Sequence, residues 1–184
     1  MQLGTEDGYV FLFDIFALGK EAFDHGGLRA LLEDARVTKL MYDCRHDDDA
    51  LFHLCGGVRV AGTLDLQIPA ARSFLADCKS PSLTPYGHAL KDVLTRGELA
   101  SLEAVKRVGR DTFSPVHGGS NAAWSERPLQ PLLLVYSTID LEPMFKMYDK
   151  YVRFEHTDRG VSPSEEVART SAERMRQASA IKWN

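Results

Sequence analysis

The sequence has few cysteines, no long apolar run and no surplus of positive charge, and each shortage removes a class of protein. Cys44, Cys55 and Cys78 are three thiols without a CxxC pair, which gives no disulfide framework and fits a reducing, intracellular compartment, cytoplasmic or nuclear. The apolar stretch from Tyr9 to Gly19 is broken by Asp14 and follows no basic segment. A bilayer needs roughly 20 apolar residues, so neither a membrane span nor a signal peptide is read here. A net charge of -4 argues against a broad basic face, so nucleic acid would have to be held locally or through metal ions. The charge is uneven: residues 1–78 carry 7 Lys/Arg against 13 Asp/Glu, and residues 79–123 carry 6 against 4.

What is present is 184 residues at 44% hydrophobic content, enough for one ordinary core. Met1 to Thr5 and Gly8 to Ile15 flank a Glu6-Asp7-Gly8 turn, the pattern of a hairpin. Leu28, Leu31 and Leu32 fall at helical spacing, and Val37 to Tyr42 reads as a strand. An acid-capped helix runs from Asp47 to the Gly56-Gly57 stop, followed by a strand near Val58 to Leu64 and a helix through Ala70 to Leu75. This alternation predicts an α/β layered fold. Between Lys79 and Ala123, Pro81, Pro85, Pro115 and the Gly118-Gly119-Ser120-Asn121 cluster bound one helix near His88 to Val108, a region suited to face a substrate. A long apolar-rich stretch then runs from Trp124 to about Val152, with Pro128 and Pro131 at the helix entry. Residues 1–152 are read as one domain and residues 153–184 as a charged peripheral tail, helical or partly disordered.

Two segments can carry chemistry. Asp47, Asp48 and Asp49 crowd a strand-to-helix junction, where carboxylates either hold hard cations such as Mg²⁺ or stabilise the helix N-terminus. Tyr136 and Asp140 are four residues apart, which on a helix sets a phenol and a carboxylate on one face. Lys106, Arg107 and Arg110 form a small basic cluster, which by charge pattern alone reads as a solvated helix face. Zinc binding by Cys44, His46, His53 and Cys55 is set aside, because a helix between the two pairs holds them about a dozen ångström apart.

In this order the segments resemble the 3'-5' exonuclease domains of the DEDD superfamily, in the Tyr-x-x-x-Asp subgroup, and most of all ribonuclease D-like and Egalitarian-like domains. Tyr42-Asp43-Cys44-Arg45-His46-Asp47-Asp48-Asp49-Ala50-Leu51 is similar to the family's His-Asp-Cys-Arg/Lys-x-Asp-x-x-Ala-Leu, with Tyr42 in place of His. Leu64-Asp65-Leu66-Gln67 matches Phe-Asp-Thr-Gln, and Trp124 with Arg127-Pro128-Leu129 matches the Trp-x-x-Arg-Pro-Leu lead-in to the last motif. The resemblance implies a ribonuclease H-like mixed sheet flanked by helices, and hydrolysis from the 3' end of single-stranded RNA or DNA by two Mg²⁺ or Mn²⁺ ions. It implies that Asp47 and Asp140 are metal ligands, that Tyr136 orients the attacking water, and that Arg127, Lys106 and Arg107 bind substrate. A protein partner or a homodimer is a further expectation.

Met1-Gln2-Leu3-Gly4-Thr5 matches the family's second strand, so the Asp-x-Glu first motif on the central strand would lie upstream of residue 1. Glu6, Asp7 and Asp14 do not replace it. The expectations are therefore an N-terminally truncated domain, an interrupted sheet with two inner edges, and doubtful exonuclease activity for the chain as written. The alternative is a catalytically impaired RNA-binding adaptor.

Overall fold

In the computed structural model, residues 1–75, 83–154 and 162–179 are described. Cys78, Lys79, Pro81 and residues 155–161 and 180–184 of the tail lie outside the described residues. The chain opens with a hairpin of β1 (Gln2–Gly4) and β2 (Val10–Leu12), paired antiparallel with Leu3 opposite Phe11. Its turn forms because Gly8 accepts a φ of 90° and donates its N–H to the Thr5 carbonyl at 3.0 Å. Further on, β3 (Lys39–Met41) and β4 (Thr63–Asp65) pair in parallel, Leu40 opposite Leu64, with helix α4 (Cys44–Leu54) in the crossover.

Hairpin and parallel pair share no hydrogen bonds, so among the described residues the α/β fold carries two two-stranded sheets. The expected interruption of the sheet is met. Helix α9 (Leu141–Tyr148) spans the interruption, touching both β1 and β3. Gly4 makes that approach possible: a Cβ there would fall 3.2 Å from the Cβ of Leu141.

Two cores result. Under the hairpin, Phe23 of α2 (Glu21–Asp24) and Leu28 and Leu32 of α3 (Leu28–Glu33) bury with Val58 against Leu3 and Phe13. Beyond the parallel pair, Leu66, at the link from β4, buries together with Ala70, Leu90, Met147 and Tyr151, drawn from α5 (Gln67–Leu75), α6 (Tyr86–Val93), α9 and the π-helical turn Asp149–Arg153. Each fully buried aliphatic or aromatic side chain contributes roughly 1.5–3 kcal/mol. Helix α2 and its short neighbour α1 (Ile15–Leu18), capped by Asp14 accepting from the Ala17 N–H, connect the hairpin to α3.

The structure departs from the sequence reading in four places. The single helix expected near His88 to Val108 is two, α6 and α7 (Arg96–Phe113), because Thr95 and Glu98 form a reciprocal capping box that restarts the backbone. The strand expected from Val58 shrinks to β4, since the Val60 N–H donates to the Asp48 carboxylate at 3.0 Å instead of to a neighbouring strand. The apolar stretch to Val152 divides into α8 (Pro131–Thr138) and α9. In the tail, α10 (Pro163–Ser179) lies against α4 and β4 with Val167 and Ser171 buried, so this part is not peripheral. Among the described residues, no helix is long and apolar enough to cross a membrane.

Candidate nucleic-acid site

Tyr136 projects from α8 and Asp140 precedes the first turn of α9, so the single helix expected to carry both is broken between them. Both nevertheless line one cleft of about 500 Å³, together with Trp124, Arg127, Asp14 and Phe16. The ring of Tyr136 is seated by Gly109 of α7, where a Cβ would come within 2.9 Å of Tyr136 Cγ. Phe113 and Trp124 close on the same ring, with centroids 5.3 and 6.1 Å away. Edge-on aromatic contacts of this kind add roughly 0.5–1.5 kcal/mol each and fix the phenol's direction. Arg127 reaches across the cleft wall to Asp14 with a two-pronged pair at 2.5 Å, and its remaining nitrogen donates to the Trp124 and Glu126 carbonyls. It thereby latches the hairpin side to the loop that enters α8. The pair holds the Asp14 carboxyl below the usual aspartate range.

Lys106, on α7 three residues before Gly109, places its ammonium 2.7 Å from Asp140 Oδ1. Tyr86 supports both partners. Its hydroxyl donates to the Asp140 carbonyl at 2.8 Å, and its ring centroid lies 5.0 Å from the Lys106 nitrogen. Burial pushes the Tyr86 phenol well up, with the Asp140 charge adding to it, so it stays a donor. Arg107 is exposed on the same helix, as is Arg110.

Asp47 lies elsewhere, in the first turn of α4, and is not among the residues lining the cleft. The junction before it is tightly braced. Asp43 takes a left-handed φ of 57°, a conformation costing about 1 kcal/mol or more for a residue with a Cβ. Asp65, fully buried, accepts from the Asp43 and Gln67 N–H groups at 2.8 and 3.1 Å and from the Arg174 guanidinium. Arg174 also donates to Gln67 Oε1 at 2.7 Å and Asp43 Oδ1 at 3.2 Å, while the Asp65 N–H donates to Ser171 Oγ at 2.8 Å. Asp48 is absorbed by Arg59 at 2.8 Å and the Val60 N–H. The Asp47 carboxyl is raised, chiefly by the surrounding protein mass and further by Asp43 and Asp65, against the lowering influence of His46. Tyr42, where the family has His, donates to the Thr84 carbonyl at 2.7 Å and packs edge-on against Tyr86 at 4.9 Å. That contact chain connects the Asp47 side to the Asp140 side.

A pair of divalent cations about 4 Å apart needs several carboxylates in one compact place. Among the described residues, no three His, Cys, Asp or Glu side chains converge to hold a metal ion. The Asp140 carboxylate is already matched by Lys106. The donor set therefore does not fit a two-metal centre. Tyr136, Asp140, Arg127, Lys106 and Asp47 are visible as candidates in the sequence. Tyr86, Gly109 and Arg174 are not, although Val167, Ser171 and Arg174 follow i, i+4, i+7 spacing that marks one face of a helix.

The α/β layering, with Tyr136 and Asp140 on one cleft beside the hairpin, matches the fold of a 3'-5' exonuclease-type domain. Similarity to known proteins names its kin. A scan against family models finds no match. The piRNA biogenesis protein EXD1 of Mus musculus is 34% identical over 141 residues, 73% of this chain and 22% of that protein. Ribonuclease D of Trypanosoma brucei, solved in complex with GMP, superposes with a TM-score of 0.66 at 30% identity, covering 92% of this chain and 47% of its own. The same enzyme in complex with RNA U12 gives 0.69 at 28%, covering 96% and 55%. Over most of its length the chain is similar to ribonuclease D-like exonuclease domains in sequence and in fold. It spans less than a third of the length of the curated relatives it matches and about half of the ribonuclease D chain.

Proposed function

We propose that the chain is a ribonuclease D-type nucleic-acid-binding domain that takes the 3' end of a single strand, RNA before DNA, into the Trp124–Tyr136–Asp140 cleft. The observation that carries this reading is the convergence of those three residues with Arg127 on one cleft of about 500 Å³. The solved ribonuclease D complex with RNA supports the choice of ligand. Base faces stack on aromatic rings for roughly 1–3 kcal/mol each, without demanding a sequence. Arg127, engaged with Asp14, shapes the cleft's wall, Lys106 meets the charge of Asp140, and Arg107, exposed on the same helix as Lys106, would bind phosphate.

A second reading is metal-dependent cleavage, favoured by Asp47, Tyr136 and Asp140 standing in the family's order. There Asp47 and Asp140 would hold Mg²⁺ or Mn²⁺, which would activate water oriented by Tyr136, but the donor set argues against it for this chain. Incubating a 5'-labelled single-stranded RNA with the protein separates the two. Binding by fluorescence anisotropy, with the oligonucleotide intact in Mg²⁺ or Mn²⁺, is expected. Metal-dependent shortening that vanishes in Asp140→Ala would establish the second reading, and failure to bind would remove both.

A further inference from the structure

We propose that Lys106 is the built-in counter-cation of Asp140, so that the cleft takes nucleic acid without a divalent metal on that carboxylate. The ligand in this statement rests on the binding reading above. The role of Lys106 stands on the local geometry.

Asp140 Oδ1 is closed off from solvent and has no aligned hydrogen bond, so the ammonium at 2.7 Å is what neutralises it. A carboxylate oxygen in that position requires a cation, because its charge has left water without gaining hydrogen-bond donors. Lys106 is itself held for the task. Its side chain is 20% exposed, the Tyr86 ring faces its nitrogen, and Tyr86 fixes the Asp140 backbone through the carbonyl. Gly109, one turn along α7, seats Tyr136, so a single helix face positions the counter-charge and the phenol together. A divalent ion placed on Asp140 would meet this ammonium across a few ångström of partly buried space, where like charges repel with little screening. The acid's other oxygen remains available, since the Asp140 side chain is 34% exposed.

The test is a Mn²⁺ titration of the full chain without nucleic acid, followed by electron paramagnetic resonance of the free ion. Wild type is expected to bind Mn²⁺ weakly, and Lys106→Met to bind about tenfold more tightly or better, since the repelling charge is gone and the buried oxygen needs a replacement. The gain is expected to disappear when Asp140→Asn is added, and Lys106→Arg, which keeps the charge, is expected to match wild type. Lys106→Gln gives the same reading if the Met variant does not fold. Affinities of the neutral variants within about twofold of wild type, or a tight Asp140-dependent site already present in wild type, would overturn the assignment. RNA anisotropy in EDTA is read separately. Loss of binding by wild type there would count against the nucleic-acid reading, whereas the Mn²⁺ result judges Lys106 alone.

Discussion

Asp47 and Asp140, the two acids that the family resemblance pairs, sit in regions built in opposite ways. Around the β3–α4 junction, charge is matched, at Asp65 and Asp48 in buried positions: Asp65 by Arg174, Asp43 by Arg45 and Arg174, Asp48 by Arg59. Asp140 is half-buried, with one oxygen closed against Lys106, at the edge of a cleft faced by a phenol and an aromatic wall. The junction is thus organised to hold a backbone shape, including the left-handed Asp43, and the cleft to receive something. Acid residues in a motif segment are not equivalent by composition alone. What separates them is how their surroundings treat each charge: matched by an arginine at Asp43, Asp48 and Asp65, disfavoured at Asp47, and met by Lys106 at Asp140.

That contrast breaks most sharply at Arg174. Arg174→Met strands the fully buried Asp65 carboxylate and unties α10 from the sheet, with an expected loss of about 3–5 kcal/mol in urea unfolding. Adding Asp65→Asn should recover part of it, because the stranded charge is then gone. If Arg174→Met melts like wild type, the junction is not held by this network. On the cleft side the expected cost is smaller. Gly109→Ala drives a methyl into the Tyr136 ring, costing about 1–3 kcal/mol of stability and altering the near-ultraviolet circular dichroism of the aromatic cluster, together with weaker RNA binding. An unchanged aromatic signal would show that the ring is not seated there.

The smallest effect concerns Asp47 and carries a sign. Its folded carboxyl holds a proton more tightly than the ordinary aspartate value of 3.8, since the neighbouring mass and then Asp43 and Asp65 disfavour its charge. The native state therefore gains stability as pH falls toward 3.8 and bears the full penalty above the raised value. Asp47→Asn is expected to melt slightly above wild type near neutral pH, with the difference closing below pH 3.8. A variant less stable than wild type at neutral pH would mean that Asp47 is held by a favourable partner.

Much of this was legible in the residues. Gly8 in its turn, the leucines of α3 and the apolar strand before α4 carry local signals that tertiary structure did not override, whereas the strand after α4 was cut back by the bond from Val60 to Asp48. The break between α6 and α7 was also written, in Thr95 and Glu98, but a capping box inside a helical pattern is readable only when its reciprocal bonds are weighed against continued periodicity. The docking of α10 was not apparent from its charge. Its anchor is one arginine whose partners lie more than a hundred residues away in sequence. In the same way, Lys106 stood out as part of a basic cluster, whereas its partnership with Asp140 arises only where α7 crosses the start of α9.

The central claim, that the 3' end of a single strand enters the Trp124–Tyr136–Asp140 cleft, is tested most directly by photocrosslinking with RNA carrying 4-thiouridine at its 3' terminus. The expected adducts map by mass spectrometry to Trp124, Tyr136 or their immediate neighbours, and fall away when the probe is moved to the 5' terminus. Adducts confined to the exposed β2 face or to α10, or equal yields from both termini, would contradict it.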